Sequence, residues 1–109
     1  MATTFKNARL LMTTSYQTVY TCPAATTAIV LSCNIANVDG TNTASASVQW
    51  LDSSNSNAAT RLLELGVVPA AYAVETLTKK LVLEAGDALQ AKASADGDLE
   101  LSVSILQIT

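Results

Sequence analysis

Two pairs of acids are the first residues in this chain whose type and spacing could do chemistry. Glu84 and Asp87 flank Gly86, and Asp96 and Asp98 flank Gly97. Two carboxyl groups facing each other across a cleft hydrolyse glycosides, one donating a proton while the other attacks or activates water. Here each pair sits beside a glycine between two apolar runs, so both read as solvated turns instead. Cys22 and Cys33 lack the CxxC spacing of a zinc site, and there is no histidine to complete one. The same absence removes the commonest general base and rules out any Ser-His-Asp or Cys-His arrangement. The cysteines read as reduced, small apolar side chains, with a disulfide across a hairpin as the less favoured reading.

The loop Asp52–Asn57, "DSSNSN", offers oxygen ligands but lacks the closing Glu and central Gly of an EF-hand loop, so no calcium site is expected. The four glycines are isolated and form no phosphate-cradling loop. Trp50, with Tyr16, Tyr20 and Tyr72, could form a carbohydrate or partner platform. Trp50 shares the face of Val48 and Ala46, however, which places it in a core. Arg61 follows the polar loop and is expected to pair with Asp52 or Glu64 at the surface. Nothing here adds up to a catalytic constellation. The expectation is a protein with no catalytic residues, no metal and no cofactor.

The elements that would position these residues are strands. "ASASVQWL" (Ala44–Leu51) alternates strictly, with Ala44, Ala46, Val48 and Trp50 on one face and Ser45, Ser47 and Gln49 on the other. "TTAIVLSCNIANV" (Thr26–Val38) places Ile29, Leu31, Cys33 and Ile35 together, with a bulge or the strand's end at Val38. "DLELSVSILQIT" sets Leu99, Leu101, Val103 and Ile105 against Glu100, Ser102 and Ser104. It then puts Leu106 and Ile108 on the second face, as in a central strand or a subunit contact. Asp39-Gly40, Gly86-Asp87 and Asp96-Gly97-Asp98 supply turns, and Pro23 and Pro69 mark strand starts, edges or kinks.

The pattern predicts about eight strands, near 4–12, 16–21, 27–38, 43–52, 59–67, 71–77, 80–84 turning into 87–94, and 98–108. A helical turn over "PAAYAVETL" is the rival reading of the sixth. The fold class is all-β: a single antiparallel β-sandwich or jelly-roll-like domain spanning residues 1–109, with 1–15 an extra strand or a docking arm.

A chain of 109 residues can bury a core without disulfides or metals. Only six Lys and Arg are present, scattered as Lys6, Arg9, Arg61, Lys79, Lys80 and Lys92 in a chain of net charge −3. No basic stripe exists to neutralise phosphates, so nucleic acid is not an expected partner. No apolar run approaches the roughly 18 residues needed to cross a bilayer. "MATTFKNARLL" has no secretory-signal pattern, so synthesis in a cytoplasm is expected.

The "YTCPAATTAIV" opening, the "NVDGT" turn, the "VQWLDSS" strand end and the "KKLVLEAGDALQAKAS" stretch together resemble a group of small virion proteins of tailed bacteriophages. These are roughly 100-residue proteins, notably of phages infecting cyanobacteria and marine bacteria, and the likeness covers most of Tyr20 to Ile108. It implies a β-sandwich structural component of a particle, at the capsid surface, neck, baseplate or fibre base, and so a virion localisation. It also implies self-association, as a trimer or hexamer, and binding to other virion proteins, with no catalytic residues to carry over. A chain that is 50% hydrophobic and 14% charged has apolar surface for such contacts. Leu51, Val68, Leu106 and Ile108 are the candidate contact residues, the other reading being that they fill a core. A carbohydrate- or host-surface-binding sandwich of a phage fibre, using Asp39–Thr43 and Asp52–Asn57, is the alternative function.

Overall fold

The computed structural model, which describes residues 2–109, is an all-β sandwich of two antiparallel sheets. Its nine strands are β1 (Thr3–Leu11), β2 (Gln17–Thr21), β3 (Thr27–Asn37), β4 (Ala44–Asp52), β5 (Ala58–Val68), β6 (Ala73–Glu75), β7 (Leu81–Leu83), β8 (Ala88–Ala93) and β9 (Leu99–Ile108). The first sheet runs β1-β9-β3-β6, with β7 pairing another stretch of β3, and the second runs β2-β8-β4-β5.

Alternation decides the core. Along β9, Leu99, Leu101, Val103 and Ile105 are buried while Glu100, Ser102 and Ser104 face solvent. The strand lies between β1 and β3, where a segment apolar on both faces at its end belongs. Across the sandwich, β4 and β8 pair Ala46 with Ala93 and Val48 with Ala91. These small side chains meet Ile35, Leu83, Leu101 and Ile105 of the first sheet in one buried cluster. Trp50, expected in the core, is half-buried and packs against its edge.

Three expectations change. The stretch Lys79–Ser94 is not a hairpin: β7 pairs with β3 in the first sheet, whereas β8 pairs with β2 and β4 in the second. The turn Glu84–Asp87 therefore carries the chain from one sheet to the other, and the eight strands become nine. In β3, the register slips between Val30 and Ser32, so Leu31 is an extra residue. Ala28 and Val30 point inward before this bulge, Cys33 and Ile35 after it. Ile29 and Leu31 therefore do not share the face of Cys33. The sixth segment shrinks to three residues, Ala73–Glu75.

Candidate assembly surfaces

Asp87 and Asp96, one acid of each pair, accept backbone hydrogen bonds at the turns. Asp87 is 2% exposed, not solvated. Its Oδ1 accepts from the Ser53 N–H (2.9 Å) and hydroxyl (3.1 Å), and its Oδ2 from the Glu84 N–H (3.0 Å). Glu84 is exposed, so the two are not a facing acid pair. Asp96 Oδ1 accepts from the Thr14 N–H at 2.9 Å. Asp52 Oδ1 accepts from the Ser54 N–H and hydroxyl (3.0 and 2.6 Å), capping the 3-10 turn Ser53–Asn55 of the polar loop. Asp39 accepts from the Thr41 N–H at 2.8 Å and from Asn42. These bonds, that of Thr41 foremost, hold its carboxyl below the ordinary carboxylate range. Among the described residues, no three Cys, Asp or Glu gather closely enough to hold a metal ion.

Both thiols are free and buried. Burial pushes the Cys33 thiol up to about 11. The Cys22 thiol is also raised by burial and donates to the Thr26 carbonyl at 3.3 Å. Inert, protonated thiols suit core packing and not nucleophilic attack.

The outer face of the second sheet carries a polar ladder across all its strands. Gln90 Nε2 donates to Thr18 Oγ1 (3.1 Å), and Gln49 Nε2 donates to Gln90 Oε1 (2.8 Å). Arg61 Nη1 donates to Gln49 Oε1, while its Nε pairs with Glu64 Oε2 at 3.0 Å. Glu64, not Asp52, is thus its ion partner. The Ser47 hydroxyl donates to Glu64 Oε1 at 3.1 Å and accepts from the Leu65 N–H. Arg61 and Lys92 lie over the Tyr16 ring, 5.4 and 4.8 Å from its centre. Gln90, Gln49, Arg61, Glu64 and Ser47 thus bond to one another, whereas the buried Tyr16 hydroxyl finds no partner among the described residues.

The outer face of the first sheet is different at one end. Leu106 of β9 stands opposite Phe5 of β1 on one side and Ile29 of β3 on the other, and Ile29 stands opposite Val82 of β7. This makes a continuous apolar row across four strands, with Phe5 76% and Val82 55% exposed. An open groove of about 650 Å³ beside it is lined by Phe5, Lys6, Asn7, Leu31, Ser104 and Ile105.

The four residues singled out from the sequence are not brought together. Leu106 and Ile108 lie half-buried on this outer face, and Leu51 is half-buried on the other sheet. Val68 has no exposure and is a core residue, not a contact. Val68 lies on the inward face of β5, because the two one-residue slips in its register with β4, near Leu65 at φ +51°, together restore the alternation. The slips leave Val68 opposite the buried Ala44. Sequence reading passed over Phe5 and Val82, and placed Ile29 on the face of Cys33 and Ile35 instead. Their alignment depends on which strands pair, although each is an apolar residue off its strand's buried set.

No family model matches the chain, and no curated protein matches it in sequence. The fold does match solved structures. A chain of the acid-stable capsid of Helicobacter pylori bacteriophage KHP30 is 13% identical with a TM-score of 0.61, the match covering 100% of this chain and 89% of that one. A chain of the IBDV viral particle is 7% identical with a TM-score of 0.59, covering 96% of this chain and 30% of that one. A chain of the disulfide-linked pili that form Bacillus endospore appendages is 11% identical with a TM-score of 0.55, covering 96% and 85%. What the three share with this protein is the sandwich fold.

Proposed function

We propose that this protein is a non-enzymatic structural component of a phage particle that self-associates and binds other proteins of the particle. The observation that carries the reading is the whole-chain likeness to the bacteriophage KHP30 capsid chain, sandwich for sandwich over 100% of one and 89% of the other. The sequence resemblance to small virion proteins of tailed phages points the same way. The exposed row Phe5–Leu106–Ile29–Val82 supports it, because an apolar strip on an outer face is the material of a subunit contact. Asp87 and Asp52 cap turns, and Arg61, Gln49 and Glu64 bond to one another, so these groups are engaged within the chain. Closed symmetry, as a trimer or hexamer, repeats one patch around a ring.

Light scattering and electron microscopy on the purified chain test this. The expected result is a discrete oligomer or a regular assembly that forms with rising concentration. A monodisperse 11.3 kDa monomer at every concentration, with no binding to phage particles, overturns it.

A further inference from the structure

β1 leaves one side of its backbone unused. Ala2 and Thr109 exchange both backbone hydrogen bonds (3.1 and 2.9 Å), and the Met12 N–H donates to the Leu99 carbonyl (2.9 Å). Between these points the pairing of β1 with β9 runs without a shift. Bonded pairs alternate in an antiparallel ladder, so the even-numbered residues of β1 bond to β9. The N–H and C=O groups of Thr3, Phe5, Asn7, Arg9 and Leu11 point away from it. β1 ends its sheet, and among the described residues no hydrogen bond reaches these groups.

Proteins blunt such edges by making them short, bulged or proline-bearing. The other edges here follow that rule. β2 has five residues and a register shift, β6 and β7 have three each, and β5 is broken by register shifts. β1 has nine residues, no proline and no bulge, and of the blunting devices carries only the charges of Lys6 and Arg9.

We infer that the open edge of β1 pairs antiparallel with β1 of a second copy, on a two-fold axis at Asn7, making one continuous sheet from two first sheets. The inference deepens the self-association proposed above and rests on it, and of the two forms named there it fits a hexamer, which can hold two-fold axes, and not a trimer. The side-chain pairs that an axis at Asn7 produces argue for a second copy as the occupant. The edge-facing residues are spaced symmetrically about Asn7, so a single axis matches all of them: Asn7 with the partner's Asn7, Phe5 with the partner's Arg9, Thr3 with the partner's Leu11. No cation then faces a cation, because Lys6 falls opposite the partner's Ala8. Phe5, 76% exposed in one copy, receives the partner's Arg9 guanidinium on the same outer face. Both strands gain hydrogen bonds for groups now left to water, without losing one to β9.

Sedimentation velocity on the wild type and on N7P, N7K, N7C and R9C, with circular dichroism melting for each, tests the pairing. The Asn7 N–H points to the open edge, so proline there removes an edge donor and no β1–β9 bond. N7K places two ammonium groups opposite each other at the axis. Directly opposed bonded residues are about 5.5 Å apart at Cα, within disulfide reach. The expected result is folded N7P and N7K proteins whose association is weakened more than tenfold. N7C then cross-links into dimers on oxidation, whereas R9C, facing Phe5, does not. If the wild type associates but N7K is unaffected and N7C fails to cross-link, self-association uses another surface and this inference falls alone. If the wild type is a monomer throughout, both readings fall. Should N7P not fold, N7K and N7C decide.

Discussion

Asp87 and Ser53 lock the crossing between the two sheets to the turn that follows β4: one carboxylate oxygen takes both the Ser53 N–H at 2.9 Å and the Ser53 hydroxyl at 3.1 Å. The second oxygen takes the Glu84 N–H at 3.0 Å. Replacing Asp87 with Ala leaves two part-buried backbone donors without this partner, a loss of about 1–3 kcal/mol. Ser53→Ala removes one hydroxyl and keeps the backbone bond, for about 1 kcal/mol. Urea unfolding of the two variants checks the order, and an Asp87→Ala protein as stable as Ser53→Ala would sink the account.

Gly86 sits in the same crossing at φ +88°, and a Cβ there would lie 2.8 Å from Ser53 Oγ. Gly97 has a similar φ of +79° with open space around it. Gly86→Ala is therefore expected to cost about 1–2 kcal/mol more than Gly97→Ala, since only the first adds a clash to the unfavourable backbone. Thermal melts of the two single variants measure the gap, and equal melting temperatures refute the close approach to Ser53.

The buried Cys33 thiol makes stability fall at alkaline pH. Its folded value is raised from 9.0 to about 11, so between those limits the unfolded chain gives up a proton that the folded chain keeps. The stabilisation is fully present below pH 9.0 and is lost as pH rises through about 11. The slope reaches at most about 1.4 kcal/mol per pH unit. Cys22 and Tyr20 are raised in the same direction, burial being the main cause in each. Cys33→Ala should lower stability at neutral pH through the smaller side chain, yet flatten the alkaline fall. Urea midpoints at half-unit steps from pH 8 to 11 would contradict this by showing parallel curves.

Most strands were legible in the sequence because alternation in β4 and β9 reports a face directly. Pairing was not. Leu81, Leu83, Leu89 and Ala91 alternate as a hairpin would, but the pattern says nothing about whether the second arm returns to the same sheet. Here Leu83 pairs with Ala28 and Ala91 with Val48. Nor does a bulge announce itself: the extra residue at Leu31 exchanges the faces of β3 without a glycine or proline to mark it. The apolar row was hidden for the same reason, since Phe5 and Val82 are far apart in sequence. Only the registers of β1, β9, β3 and β7 bring them into line.

Val68 and Val82 separate core from contact with one residue type. Val68 has no exposure, and Val82 is 55% exposed at the end of the apolar row. Truncating Val68 to Ala removes buried methyl groups and leaves a cavity, so stability should drop by about 1–3 kcal/mol with the association constant unchanged. Val82→Asp puts a charge on an already solvated site, so the fold should hold within about 0.5 kcal/mol. Where copies also meet across this outer face, association should weaken severalfold, because the row loses an apolar end to a buried charge, whereas pairing at the β1 edge, beyond β3 and β9, should hold. The two effects are read independently, by urea unfolding at low concentration and by sedimentation across a concentration series. A Val82→Asp protein that associates as tightly as the wild type removes the row from the contact.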